Sequence, residues 1–133
     1  MSERDYSHRT AIDKLGLKPG MRVRMTGDIG AELKSAAKLE IGGSLLRSGE
    51  LDLIVRVVKS VAEADEFLGR VRDQIVGDGA IWLVTWKRGD PRYVMQEELI
   101  PLGPPHRLVD NKVCAIDDRR SAIRFVIPRE LRL

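Results

Sequence analysis

The chain has 133 residues, with 23 Lys+Arg against 20 Asp+Glu, a formal net charge of +3 and a single cysteine. At this length one domain is expected, and 43% hydrophobic with 32% charged residues describes a folded globule, not a disordered tail. Cys114 alone cannot close an intramolecular disulfide, Met1 to Tyr6 hold no apolar stretch for a secretory signal, and no apolar run approaches the roughly 20 residues of a membrane span, so the expected location is a reducing cytoplasm.

Within a lead-in segment 1–18, residues 8–15 read as a short helix ended by Gly16 and the turn Lys18-Pro19-Gly20. Met21 to Met25 alternates, with Met21, Val23 and Met25 on one face, and predicts a strand. Thr26-Gly27-Asp28-Ile29-Gly30 reads as a turn, and Ala31 to Leu39 as a helix ended by Gly42-Gly43. A short strand is expected over Ser44 to Arg47. Leu51 to Val58 is mostly apolar on both faces and rich in β-branched residues, as a central strand covered on both sides should be. Ser60 and Glu63 form a capping box, opening a helix with Ala64, Phe67, Leu68, Val71 and Ile75 on one face and Gly77 and Gly79 as its stop. Ala80 to Trp86 is a second buried strand, Lys87 to Pro91 a loop, and Gln96 to Ile100 a short helix ended by Pro101. Lys112 to Ile116 and Ala122 to Ile127, joined by Asp117 to Ser121, predict an antiparallel hairpin.

This order specifies a single α/β domain over 1–133: a single-layer, mostly parallel Rossmann-like sheet flanked by helices, built with right-handed crossovers and ending in an antiparallel hairpin. The closing hairpin resembles that of the class I methyltransferase version of the Rossmann-like fold, shortened here. Topology of this kind carries no function by itself.

Three segments carry a closer resemblance: Lys14 to Met21, Gly79 to Lys87, and Leu108 to Asp117. Together they resemble a bacterial family known only as a domain of unknown function, number 3052, over nearly the whole chain. Members of that family carry Pro-Lys where this chain has Trp86-Lys87, and tend to carry Trp where it has Arg120. The family has no assigned activity, so the resemblance supports the fold and leaves function open.

A methyltransferase needs a glycine-rich first loop and an acid at the end of the second strand for the ribose hydroxyls. Here the loop holds only Gly27 and Gly30, the nearest acid is Glu50, and Lys59-Ser60 stands where amino-methylating enzymes place Asn or Asp followed by prolines. These departures favour a non-enzymatic binding or regulatory module. The alternative is a minimal S-adenosylmethionine-dependent methyltransferase or another small transferase.

In an open α/β sheet, ligands bind beyond the carboxyl ends of the strands. The residues expected there are Thr26, Gly27 and Asp28, then Lys59 and Ser60, then Trp86 and Lys87, with Arg88 beside them. They suit a small anion or nucleotide, with lysines and backbone amides for the charge and Trp86 for a ring. The competing reading makes Ser60 a cap, Lys59 and Lys87 solvated surface, and Trp86 packing. S-adenosylmethionine or a nucleotide is the cofactor that such an edge would take.

Other chemistry is poorly supported. His8 and His106 lie far apart in irregular segments, and no Cys/His/acid spacing suggests a metal. Asp117-Asp118 serves a turn, and Cys114 reads as a small buried hydrophobe, not a nucleophile. The excess positive charge lies at the two ends, +3 over 1–26 and +2 over 117–133, while 27–116 carries −2. That distribution disfavours a nucleic-acid interface. Homo-oligomerisation through the hairpin or an open sheet edge is a further expectation.

Overall fold

The computed structural model describes residues 10–132. The lead-in helix, α1, is present over 10–15; residues 8 and 9 of its expected span lie outside the described residues. β1 (Val23–Thr26) leads through a glycine turn into α2 (Ala31–Ile41), whose end is capped by Gly42 in the left-handed conformation. β2 (Leu51–Val57) is followed by α3 (Val61–Val71), a 3-10 turn at Arg72–Gln74, and the long β3 (Ile75–Trp86). A short α4 (Gln96–Leu99) precedes β4 (Val109–Ala115) and β5 (Arg120–Val126).

The five strands form one sheet in the order β1-β2-β3-β5-β4. β1, β2 and β3 are parallel, while β5 runs antiparallel to β3 and β4 antiparallel to β5. This is the expected Rossmann-like α/β architecture with its closing hairpin. Among the described residues, no helix is long and apolar enough to cross a membrane.

Both faces of the sheet are covered. On one, Val23, Met25, Leu53, Val55 and Val57 meet Ala11, Ile12 and Leu15 of α1 and Leu33, Ala37 and Ile41 of α2. On the other, Ile54, Ile81, Leu83 and Phe125 meet Ala64, Phe67, Leu68 and Val71 of α3 and Leu99 of α4. Full burial of each large side chain here stabilises the fold by roughly 1.5–3 kcal/mol. Trp82 sits in the first layer, with its indole Nε1–H donating to the Leu15 carbonyl at 3.0 Å and fastening α1 to β3.

Three expectations are corrected. Ser44 to Arg47 forms no strand: the segment lies along the outer edge of β1 and makes a single backbone bond to it, from Leu46 N–H to the Val23 carbonyl at 2.8 Å. The helix opened by Ser60 ends at Val71, and Ile75 already pairs with Leu51 in the parallel ladder. The tertiary pairing overrides the helical periodicity, so Gly77 and Gly79 lie within β3, in the irregular stretch before Ala80 resumes register with Leu53.

The third correction concerns handedness. The steps β1 to β2 and β2 to β3 go the same way across the sheet, yet α2 covers one face and α3 the other. The two crossovers therefore have opposite hands, whereas both are expected to be right-handed. Packing explains it: α2 closes over α1 in one apolar cluster, and α3 and α4 fill the opposite face.

β4 is the outermost strand on the hairpin side. A bulge between Asp110 and Lys112 and the exposed Lys112 blunt that edge against strand addition.

Candidate functional site

The parallel strands β1, β2 and β3 end together, and the expected site residues follow from those ends. Gly27 holds φ +81°, and a Cβ there would stand 2.6 Å from the Val57 carbonyl oxygen. The first glycine of the loop thus exists to let the β1 turn pass over the end of β2. Gly30, at φ +95°, has nothing within 4 Å of its Cβ position, so the backbone before α2 is open to an approaching group. Thr26 is half-buried; its Oγ1 accepts from Arg56 Nη1 at 3.2 Å.

Arg56 organises the end of β2. Its guanidinium donates to Glu63 Oε2 at 3.0 and 3.2 Å and stacks 4.8 Å from the centroid of Phe67. Glu63 completes a variant of the capping box: its backbone N–H donates to Ser60 Oγ at 3.1 Å, while its other carboxylate oxygen accepts from Lys59 N–H at 2.9 Å. Ser60 is thereby engaged as a cap. Lys59 and Ser60, both exposed, line an open cleft of about 370 Å³ with Tyr93, Val94, Met95 and Glu98.

At the end of β3, Trp86 is half-buried under two arginines. Arg92 lies 3.6 Å from its ring centroid and Arg120 5.7 Å. Arg92 also pairs with Asp90 at 2.8 Å and reaches Asp28 at 3.6 Å, so it ties the loop after β3 to the loop after β1. Arg120 pairs with Asp117 and donates to the Ile29 carbonyl at 2.9 Å. Trp86, Lys87 and Arg88 line a second cleft of about 220 Å³ with Tyr93, Val94 and Gln96. The two clefts share Tyr93 and Val94, so Lys59 and Ser60 adjoin Trp86 and Lys87 across that segment. Thr26, Gly27 and Asp28 line neither cleft; Asp28 is linked to the Trp86 side through Arg92.

Glu50 is not at this edge. It precedes β2 and pairs with Arg22 at 3.5 Å, just before β1, which puts it at the amino ends of the strands. His106 docks on α3, its Nε2 2.7 Å from Asp65 Oδ1 and its ring against Gly69. His8 lies outside the described residues. Asp117 accepts backbone N–H bonds from Arg119 and Arg120, the turn role expected of it. Cys114 is half-buried against the α1 and α2 layer, not fully enclosed, and burial pushes its thiol up. Among the described residues, no group of three or more His, Cys, Asp or Glu is placed to hold a metal ion.

The residues missed by sequence reading are Arg56, Arg92, Tyr93 and Gln96. Arg56 had a visible signal, a charge that breaks the apolar run from Leu53 to Val58. Arg92 and Gln96 had none, because their partners are brought to them by the fold.

Three parallel strands, a glycine turn after the first, and an antiparallel strand inserted between the third and the last define a Rossmann-like fold of the methyltransferase kind. The chain is similar in structure to an S-adenosylmethionine-dependent methyltransferase from Aquifex aeolicus, with a TM-score of 0.62 and 11% identity, covering 95% of this chain and 94% of that one. It is similar to a TehB-like methyltransferase from Corynebacterium glutamicum, with a TM-score of 0.56 and 11% identity over 91% of this chain and 87% of that one. It is also similar to fibrillarin from Aeropyrum pernix, solved with natively bound S-adenosyl-L-methionine, with a TM-score of 0.55 and 12% identity over 90% and 76%. At such identities the likeness is one of fold. No family model and no curated protein matches the chain, so the expected membership of the bacterial family of unknown function is not confirmed.

Proposed function

We propose that the chain is a small S-adenosylmethionine-dependent protein of the methyltransferase type, holding the donor along the carboxyl edge of its sheet. The observation that supports this is the match of nearly the whole chain to methyltransferases that use this donor. The first loop fits such a ligand at one point, because the backbone at Gly30 is open to close approach. It departs at another, since Glu50, the acid that the sequence offered for the ribose, lies at the opposite edge. Thr26, Gly27 and Asp28 would hold the donor from one side, Lys59 and Ser60 from the other, with Trp86 and Lys87 bordering the ring. The bound donor would supply an electrophilic methyl group. The residues of this chain would position it and shield it from water.

Isothermal calorimetry with S-adenosylmethionine and S-adenosylhomocysteine tests the reading. Saturable binding of both is expected, weakened by Asp28→Ala and Lys59→Ala. Binding of neither overturns it.

A second reading, a non-enzymatic module for a nucleotide or small anion, is favoured by the arginines that crowd this edge and by Arg92 lying on Trp86. Tighter binding of adenosine diphosphate than of S-adenosylhomocysteine in the same calorimeter would support it over the first.

A further inference from the structure

We propose that the cleft at the amino ends of the parallel strands is a binding site for the phosphate group of a small metabolite, with Arg124 as its anchor. It lies away from Lys59 and Trp86, so it stands whether or not the chain binds an S-adenosyl donor. The cleft, of about 290 Å³, is walled by Lys14 and Lys18 at the end of α1 and by the strands. Arg124 of β5 lines it beside Trp82 of β3 and Lys112 of β4, with which it stands in register.

The setting of Arg124 is unusual for a cation. Ala122 and Val126, its neighbours on the same face of β5, are buried, and so is Trp82 across the ladder. The other half-buried arginines are each provided for by the chain. Arg56 holds Glu63, Arg92 holds Asp90 and Arg120 holds Asp117, while Arg72 donates to the His106 carbonyl. Arg24 lies 5.8 Å from the centroid of the Phe67 ring. Arg124 has neither an acceptor nor a ring among the described residues. Burial, and then repulsion from Arg132, push its guanidinium below the ordinary arginine value. A charge taken partly out of water is normally paired, and Arg124 keeps accessible surface through which an anion can reach it.

Charge also sets the class of anion. Among the acids of the wall, Asp52 is already held by the Arg22 guanidinium at 3.1 and 3.2 Å. That leaves four cations, Lys14, Lys18, Lys112 and Arg124, against two acids, Asp13 and Asp78. The excess suits a dianion better than a single carboxylate. A phosphate monoester carries about −1.5 to −2 at neutral pH, and a guanidinium fork meets two of its oxygens at once. The volume admits a phosphate with a small organic body and not a peptide.

Proton–nitrogen correlation spectra at fixed ionic strength test this, with inorganic phosphate as probe. Phosphate should move the amide signals of Lys18, Lys112 and Arg124 saturably. The amides of Lys59 and Lys87 report the carboxyl edge separately, so the fates of the two sites are distinguished. Acetate should bind at least about tenfold more weakly than phosphate, and Arg124→Met should weaken phosphate by a similar factor. In phosphate-free buffer Arg124→Met should melt no lower than the parent, because it removes an unpaired charge and keeps an apolar stem. Added phosphate should then raise the melting temperature of the parent more than that of the variant. The proposal is overturned by no saturable shift at Lys18, Lys112 and Arg124, by acetate binding as well as phosphate, or by undiminished binding to Arg124→Met. A variant that melts lower without phosphate also overturns it, since Arg124 would then serve the fold.

Discussion

The guanidinium of Arg92 lies 3.6 Å from the centroid of the Trp86 ring, close enough to cover one face of the indole. Five residues lie between the two in sequence, and the chain folds back so that Tyr93 bridges to Trp86. The same guanidinium holds Asp90 and reaches Asp28. One side chain therefore couples the strand end, its own loop and the glycine turn after β1.

Removing that cover should expose one tryptophan and not the other. In Arg92→Ala, acrylamide should quench the Trp86 component of the fluorescence more strongly, while Trp82, 1% exposed, stays protected. Unchanged quenching in the variant would mean that another group shields the ring.

The two glycines of the first loop should respond differently to a methyl group. Gly27→Ala meets both a left-handed backbone, about 1–2 kcal/mol, and the Val57 carbonyl at 2.6 Å, an overpacking cost of about 1–3 kcal/mol. Gly30→Ala meets backbone strain alone, with open space beyond. Urea unfolding should find Gly27→Ala about 2 kcal/mol the less stable of the pair. Equal losses would show that the β1 turn can move off β2.

Ser60 caps α3 through Glu63 N–H. Ser60→Ala should cost about 1 kcal/mol in urea unfolding, the usual loss of a cap. If Ser60 also touches a ligand, its affinity falls by more than in other variants of equal stability loss, which calorimetry on the folded variant measures separately.

Acid should weaken the fold in a defined window. Hydrogen bonds from the Arg92 side chain and backbone hold Asp90 down to about 2, and Asp52 is lowered chiefly by its hydrogen bond from the Arg22 side chain. Both carboxylates have folded values below their unfolded ones, so their contribution is fully present above about pH 4 and is lost as pH falls toward about 2. Melting temperatures measured from pH 5 to pH 2 should fall, and Asp90→Asn should flatten part of that slope. An Asp90→Asn curve parallel to that of the parent would remove Asp90 from the account.

The parts of the structure legible in the sequence are those written in local pattern. Ser60 and Glu63 are close enough in sequence for the cap to be read directly, and the apolar run from Leu51 marks the central strand. The start of β3 was illegible because Gly77 and Gly79 look like helix stops, and only the pairing of Ile75 with Leu51 reveals a strand there. The candidate edge was legible as a location, since strand ends follow from strand order. Its contents were not: Arg92 on Trp86, Arg120 on the Ile29 carbonyl, and Glu50 at the far end are meetings that the fold makes between separate segments.

The opposed crossovers bear on how the chain reaches its native state. A connection of the rarer hand gains little from local winding, because the strand twist that guides the usual βαβ unit works against it. β2 and β3 are the central parallel pair and β1 an edge strand, so β2, α3 and β3 are expected to form first, with β1 and α2 docking onto them. Pulse-labelled hydrogen exchange during refolding should accordingly find protection at Ile54 and Ile81 amides before it appears at Met25. Simultaneous protection of all three would mean that the sheet assembles as one.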